Sequence, residues 1–243
     1  MSLATALAAF IFGLITKEAP NVRADQELAA RYTVNINTLV AIHTDVADGR
    51  LVNKDMDALI LAAVNYRESR LKDPSVDGDC RLVHALQGQP SASWPKDYKP
   101  VYKRQCKAVG PMQLAVGHRS NLPSWREVSM EFSTERGWDY EEPSTWKKNP
   151  FTVDDFRDPR TNVRIAYAEL EHWKYLCVGK DGAEAPVGVW LTAYRYGNCP
   201  ARSKSTGRYY IDEEAKTRCK LVSEMVEALT TDSGGLAPVR CGY

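Results

Sequence analysis

Apolar positions recur along most of this chain at three- and four-residue intervals, the spacing of a helix face rather than of a strand. Leu3, Leu7, Phe10, Ile11 and Leu14 make the first such stripe. Residues 24–48 predict one or two further helices, with Gly49 as the stop. Asn53 is placed to cap a helix from Lys54 to about Leu71, closed by Asp73-Pro74. The pattern then fades: residues 73–109 carry Gly, Pro, Ser and Asp clusters and read as irregular chain. Gly110-Pro111 is read as opening a short helix holding Met112, Gln113 and Leu114, and Ser124 with Glu127 has capping-box spacing. Residues 133–157 are again loop-like. Asp158-Pro159 pairs a cap with a first-turn proline and launches the clearest helix, Pro159 to Val178, before Gly179. A short apolar helix spans Val187 to Tyr194. The last helix, Ile211 to Leu229, has Asp212, Glu213 and Glu214 at its start, where the helix dipole favours negative charge. Strand-like alternation is scarce, so the fold class expected is all-α with long loop insertions.

Composition narrows the function classes. With 32 Lys and Arg against 31 Asp and Glu, the chain lacks the basic excess of a general nucleic-acid binder, and no nucleic-acid partner is expected. Its length suits one large domain, or a domain with extensions. The apolar run Leu3 to Ile15 is too short to span a bilayer, which takes about 20 residues. It has the length of a signal-peptide core, but no Lys or Arg precedes it and no small-x-small site follows Ile15 directly. Two readings follow: an uncleaved helix that packs on a partner or enters a membrane surface, or an atypical export signal. The first is the working expectation.

Six cysteines, Cys80, Cys106, Cys177, Cys199, Cys219 and Cys241, include no Cys-x-x-Cys pair, and His43, His84, His118 and His172 show no His-x-x-x-His spacing. A metal site is therefore not expected. An even set of well-separated cysteines suits disulfides in an oxidising compartment. Six allow about 15 connectivities, and sequence does not choose among them. A Cys80–Cys106 bridge would close the insertion after residue 73; Cys199 and Cys219 could tie the segment after Tyr196 to the last helix.

One position breaks the apolar pattern in a chemically useful way. At about 100° per residue, Glu68 falls on the same stripe as Leu61, Val64 and Leu71. A carboxylate there loses solvation, which raises its pKa and suits it to act as a general acid. The plainer alternative is that Glu68 reaches water at the helix end or pairs with Arg67 or Arg70.

Three further segments join it in order. Glu68-Ser69 is followed by Gly110-Pro111-Met112-Gln113-Leu114, then by Asp158-Pro159 through Asn162-Val163 to Leu170, then by Ala193-Tyr194-Arg195-Tyr196-Gly197. Together they resemble the Glu-Ser, Gly-Leu-Met-Gln, Asn-bearing helix and Ala-Tyr-Asn-x-Gly motifs of lytic transglycosylases of the soluble-transglycosylase, goose-lysozyme-like group. The departures are long intervals between motifs, Pro111 for the common Leu, and Arg195 where the family usually has Asn.

The resemblance implies a lysozyme-like helical domain over residues 54–200. Residues 1–20 are then an apolar attachment or signal-like helix, 21–53 a helical extension, and 201–243 a C-terminal helix and tail. It implies cleavage of the MurNAc-GlcNAc β-1,4 bond of peptidoglycan glycan strands. Glu68 is the catalytic acid and then base, and the muramoyl 6-hydroxyl attacks in place of water to leave a 1,6-anhydro end. Ser69, Met112, Gln113, Tyr194, Arg195 and Tyr196 are the candidate substrate-binding residues, with Tyr194 expected near the Glu68 carboxylate and Asn162 expected to support the packing behind it. Each also fits a plainer role: Met112 in the core, Gln113 as a cap, Tyr194 and Tyr196 as packed rings. No cofactor or metal is implied. Trp94, Trp125, Trp138 and Trp146 lie in the loop-rich segments and offer faces for sugar rings. Two rivals stand beside this reading. One is a hydrolytic muramidase, with Asp73, Asp77 or Asp79 as second carboxylate; the other is a wall-binding structural component without turnover. The expected settings are a phage virion, in the tail or ejected with the DNA, or an exported periplasmic protein. Either would engage virion or envelope-apparatus proteins through the N-terminal helix.

Overall fold

The computed structural model describes residues 2–71, 77–84, 102–115, 153–178, 183–230, 236 and 238–242, with backbone alone for 77–84, 102–107, 115, 153–154 and 230. Helices dominate: α1 (Leu3–Glu18), α2 (Pro20–Ala24), α3 (Gln26–Val46), α4 (Lys54–Ser69), α5 (Val153–Arg157), α6 (Pro159–Leu176), α7 (Val187–Tyr196) and α8 (Glu213–Thr230). The class is the helical one that the periodicity implies.

The element ends follow local chemistry. The side chain of Asn53 accepts from the Met56 amide at the start of α4, and that of Asp158 accepts from the Thr161 amide at the start of α6, where Pro159 occupies the first turn. Asp25 caps α3 in the same way, separating it from α2. Asp212 Oδ1 accepts from the amides of Glu214 (2.7 Å) and Ala215 (3.2 Å), so α8 begins at Glu213, two residues after the expected Ile211.

Helix α4 is the axis of the molecule. Every residue from Met56 to Tyr66 is buried, so no single face of it is apolar; neighbours cover it on all sides. Its polar residues are accordingly paired. Asp57 accepts from the amides of Leu51 (3.0 Å) and Val52 (2.7 Å) and from the Tyr167 hydroxyl (2.6 Å). Asn65 Nδ2 donates to Nε2 of the buried His43 (3.1 Å), joining α4 to α3.

The first helix departs from expectation. Leu7, Ala8, Ile11 and Ile15 are buried against the chain's own core, with α1 packed on α3, α4 and α8. The stripe that suggested an attachment segment is thus covered intramolecularly. Among the described residues no helix is long and apolar enough to cross a membrane.

Two segments expected to be irregular or helical form a small sheet instead. Strands β1 (Asp77–His84), β2 (Tyr102–Val109) and β3 (Leu114–Ala115) pair antiparallel in that order. The register sets Cys80 opposite Cys106. Their side chains lie outside the described ones, and so does the bridge expected between them. Pairing of this kind is fixed by a distant partner and leaves little periodicity in either strand alone. Residues 110–113 are a turn between β2 and β3, not a helix: Gly110 (φ 73°) and Gln113 (φ 49°) are both left-handed, which a right-handed helix cannot contain.

Two disulfides are present among the described residues, Cys177–Cys199 and Cys219–Cys241. Cys199 and Cys219 are therefore both bridged, but not to each other. Cys177 ends α6, and its Cα lies 5.4 Å from that of Cys199, just past α7. Cys219 sits inside α8 with its Cα 5.9 Å from that of Cys241. The second bridge pins the C-terminal tail, whose Arg240 carbonyl accepts from the Val187 amide (2.9 Å), across the start of α7. Two disulfides suit an oxidising compartment.

Candidate active site

A cleft of about 370 Å³ opens where α4, the 110–113 turn, α6, α7 and α8 converge. Its walls include Glu68, Met112, Gln113, Tyr194 and Arg195, drawn from three distant stretches of sequence. Ser69 and Tyr196 do not line it. The Ser69 hydroxyl donates back to Asn65 Oδ1 (3.0 Å), and Tyr196 is 57% exposed beneath the Arg195 guanidinium, 5.3 Å from its ring centre.

The turn is built on Asn162. This fully buried side chain accepts from the Met112 amide (2.8 Å) and donates to the carbonyls of Val109 (3.0 Å) and Phe156 (2.8 Å). Its expected supporting role thereby becomes specific: it fixes the backbone that carries Met112 and Gln113. Glycine is required at 110, because a Cβ there would stand 2.3 Å from Asn162 Nδ2 and 2.5 Å from the Phe156 carbonyl. Gln113 folds its amide onto the turn, Nε2 donating to the Gly110 carbonyl (2.8 Å). Met112 is buried apart from its face on the cleft. The Tyr194 hydroxyl donates to the Met112 carbonyl (3.3 Å), which ties α7 to the same turn.

Electrostatics separate the carboxylates. Burial raises the Glu68 carboxyl above its ordinary value, against the opposing pull of Arg218; Glu214 adds to the rise and Arg195 subtracts from it. Glu214 moves the other way, because Arg67 holds it in two contacts of 2.8 and 3.1 Å. The two carboxyls of one cleft are thus pushed in opposite directions, Glu68 up by burial and Glu214 down by Arg67. A third, Glu169, is buried in the same wall, 3.4 Å from the Trp173 indole nitrogen.

No family model, curated protein or solved structure matches this chain.

What the cleft can do must therefore be argued from its own groups. It is concave, lined by the raised Glu68 carboxyl, the lowered Glu214 carboxyl, Glu169, the guanidinium groups of Arg67, Arg195 and Arg218, apolar Met112 and Leu114, and amide and phenol groups. Such a set can bind hydroxyl-rich or amide-rich groups and offers a carboxyl for proton transfer. Among the described residues no cluster of His, Cys, Asp and Glu could hold a metal ion.

The sequence reading overlooked Arg67, Glu169, Glu214 and Arg218 as cleft residues. The signal that flagged Glu68 also marks two of them. Arg218 lies on the stripe of Leu221, Val222 and Met225, and Glu169 on that of Ala166, Leu170 and Trp173. Asp73, the candidate second carboxylate, and the four loop tryptophans lie outside the described residues, as do the side chains of Asp77 and Asp79.

Proposed function

We propose that this protein is a peptidoglycan lytic transglycosylase with Glu68 as its single acid and base. The observation that carries the reading is the cleft itself: a burial-raised carboxyl faces Met112, Gln113 and Tyr194, the residues its motif resemblance groups with it. Glu68 protonates the glycosidic oxygen as the bond to the muramoyl C1 breaks. The adjacent N-acetyl carbonyl supports the oxocarbenium-like centre. The Glu68 carboxylate then takes the proton of the muramoyl 6-hydroxyl as that oxygen closes on C1. Replacing Glu68 with Gln is expected to abolish wall lysis while the protein stays folded. Mass spectrometry of digested wall tests the product: muropeptides one water lighter than reducing ends support transglycosylation, and undiminished lysis by Glu68→Gln refutes the role of Glu68.

A hydrolytic muramidase is the second reading, and one observation favours it. Glu169 and Glu214 supply carboxylates on the same cleft for activating water. Ordinary reducing ends in the digest would select it. The setting we propose is the bacterial periplasm, reached with a phage particle; the protein should then be detected in purified virions.

A further inference from the structure

Arg218 is an uncommon residue to find where it is. Its side chain is 4% exposed, on the packed face of α8. Nη2 meets Glu68 Oε1 at 2.5 Å, Nε lies 3.7 Å from Glu214 Oε1, and among the described residues neither Nε nor Nη1 has a hydrogen-bond partner. Burying a guanidinium with so little compensation is poor for stability; well-packed apolar residues commonly serve as well or better. Its value has to lie in what it does to its neighbour.

We propose that Arg218 is a positioning residue for Glu68, its Nη2 engaging Oε1 so that Oε2 carries the proton given to the substrate. This rests on the acid–base role of Glu68 argued above. An oxygen facing an N–H donor at hydrogen-bond distance has no room for a proton of its own on that side. The neutral carboxyl therefore places its proton on Oε2, which no described protein group engages. Once that proton has passed to the leaving oxygen, the buried cation sits against the new carboxylate and favours it until the 6-hydroxyl proton is taken up. Arg218 also limits how far burial lifts Glu68. The other charged groups facing this carboxyl are Arg195 from α7 and Glu214 from α8, with Arg67 of α4 held on Glu214 and Glu169 of α6 on the same wall.

The test is the titration of the Glu68 carboxyl carbon by NMR, assigned by its loss in Glu68→Gln, in the full chain and in Arg218→Met, Arg218→Gln and Arg218→Lys. Losing an opposite charge at contact distance should raise the midpoint by about one pH unit or more in the Met and Gln variants. Lys should hold it near the wild-type value. The alkaline limb of the pH–rate profile for wall lysis should move up with the midpoint, and kcat should fall about tenfold or more with little change in KM, a loss Lys restores only in part. Should Arg218→Met not fold, Arg218→Gln gives the same reading with a donor retained. A midpoint unchanged or lowered in the neutral variants overturns the proposal, and so does a shifted midpoint with an unmoved rate profile. A wild-type protein that titrates as stated but cleaves no glycan overturns the transglycosylase reading instead, and leaves the Oε1 pairing supported.

Discussion

Replacing Asn162 with Ala should be the most informative perturbation of the site that leaves its chemistry untouched. Asn162 touches no atom of Glu68 in the interactions described; it holds the turn opposite. The substitution takes the acceptor from the buried Met112 amide and one donor each from the carbonyls of Val109 and Phe156. An orphaned buried polar group costs about 1–3 kcal/mol, with carbonyls at the lower end because they have a second lone pair. The sum is about 4 kcal/mol, a large share of the roughly 5–15 kcal/mol a domain of this kind possesses. Urea unfolding should show it as a lowered midpoint with unchanged slope. Lysis measured where the variant is still folded should also fall, since Met112 and Gln113 line the cleft. Gly110→Ala provides a cross-check, because its Cβ strikes the Asn162 amide. Alone it should be severe; in the Asn162→Ala background its cost should drop by about 1 kcal/mol or more, the coupling expected of groups in contact. A loss under about 1 kcal/mol for Asn162→Ala, or strict additivity of the pair, would refute the keystone role.

Two other outcomes follow from buried groups away from the cleft. Burial pushes His43 down to about 3, whereas the unfolded chain protonates it near its ordinary 6.5. As pH falls from about 6.5 to 3 the unfolded state alone takes up this proton, so stability is lost across that window by up to about 1.4 kcal/mol per pH unit; His43→Gln should flatten the slope in urea melts, and an unchanged slope contradicts the assignment. Replacing Cys219 and Cys241 together with Ala opens a bridge of sequence separation 22 and should lower stability by about 3 kcal/mol on the chain-entropy account, seen in thermal melts; an unaltered melting temperature would mean the tail is held without it.

The helices were legible because each carries its own evidence. Asn53 and Asp158 announce the starts of α4 and α6 within a few residues, and the spacing of Leu61, Val64 and Glu68 is local enough to single out the carboxylate, although α4 ends at Ser69 and Leu71 lies beyond it. The strands and the 110–113 turn were not legible, for the opposite reason. Whether Val109 sits in a strand depends on Asp77 and Leu114, and whether Gly110-Pro111 opens a helix depends on Asn162, 50 residues away from Met112. The bridges show the same limit: Cys177 and Cys199 meet because of how α6 and α7 pack, a fact that no spacing of cysteines contains. Between these extremes stand Glu169 and Arg218, which a local criterion could have found. A single charged residue on an apolar stripe has many structural explanations. Three of them, on three helices, whose side chains meet in one cleft are harder to explain by packing. Each costs desolvation where Leu or Met would cost none, and the core of Leu59, Ile60, Leu61 and Val64 is complete without them. That convergence singles out the cleft independently of any motif, and it ranks Arg218 beside Glu68 as the next residue to change.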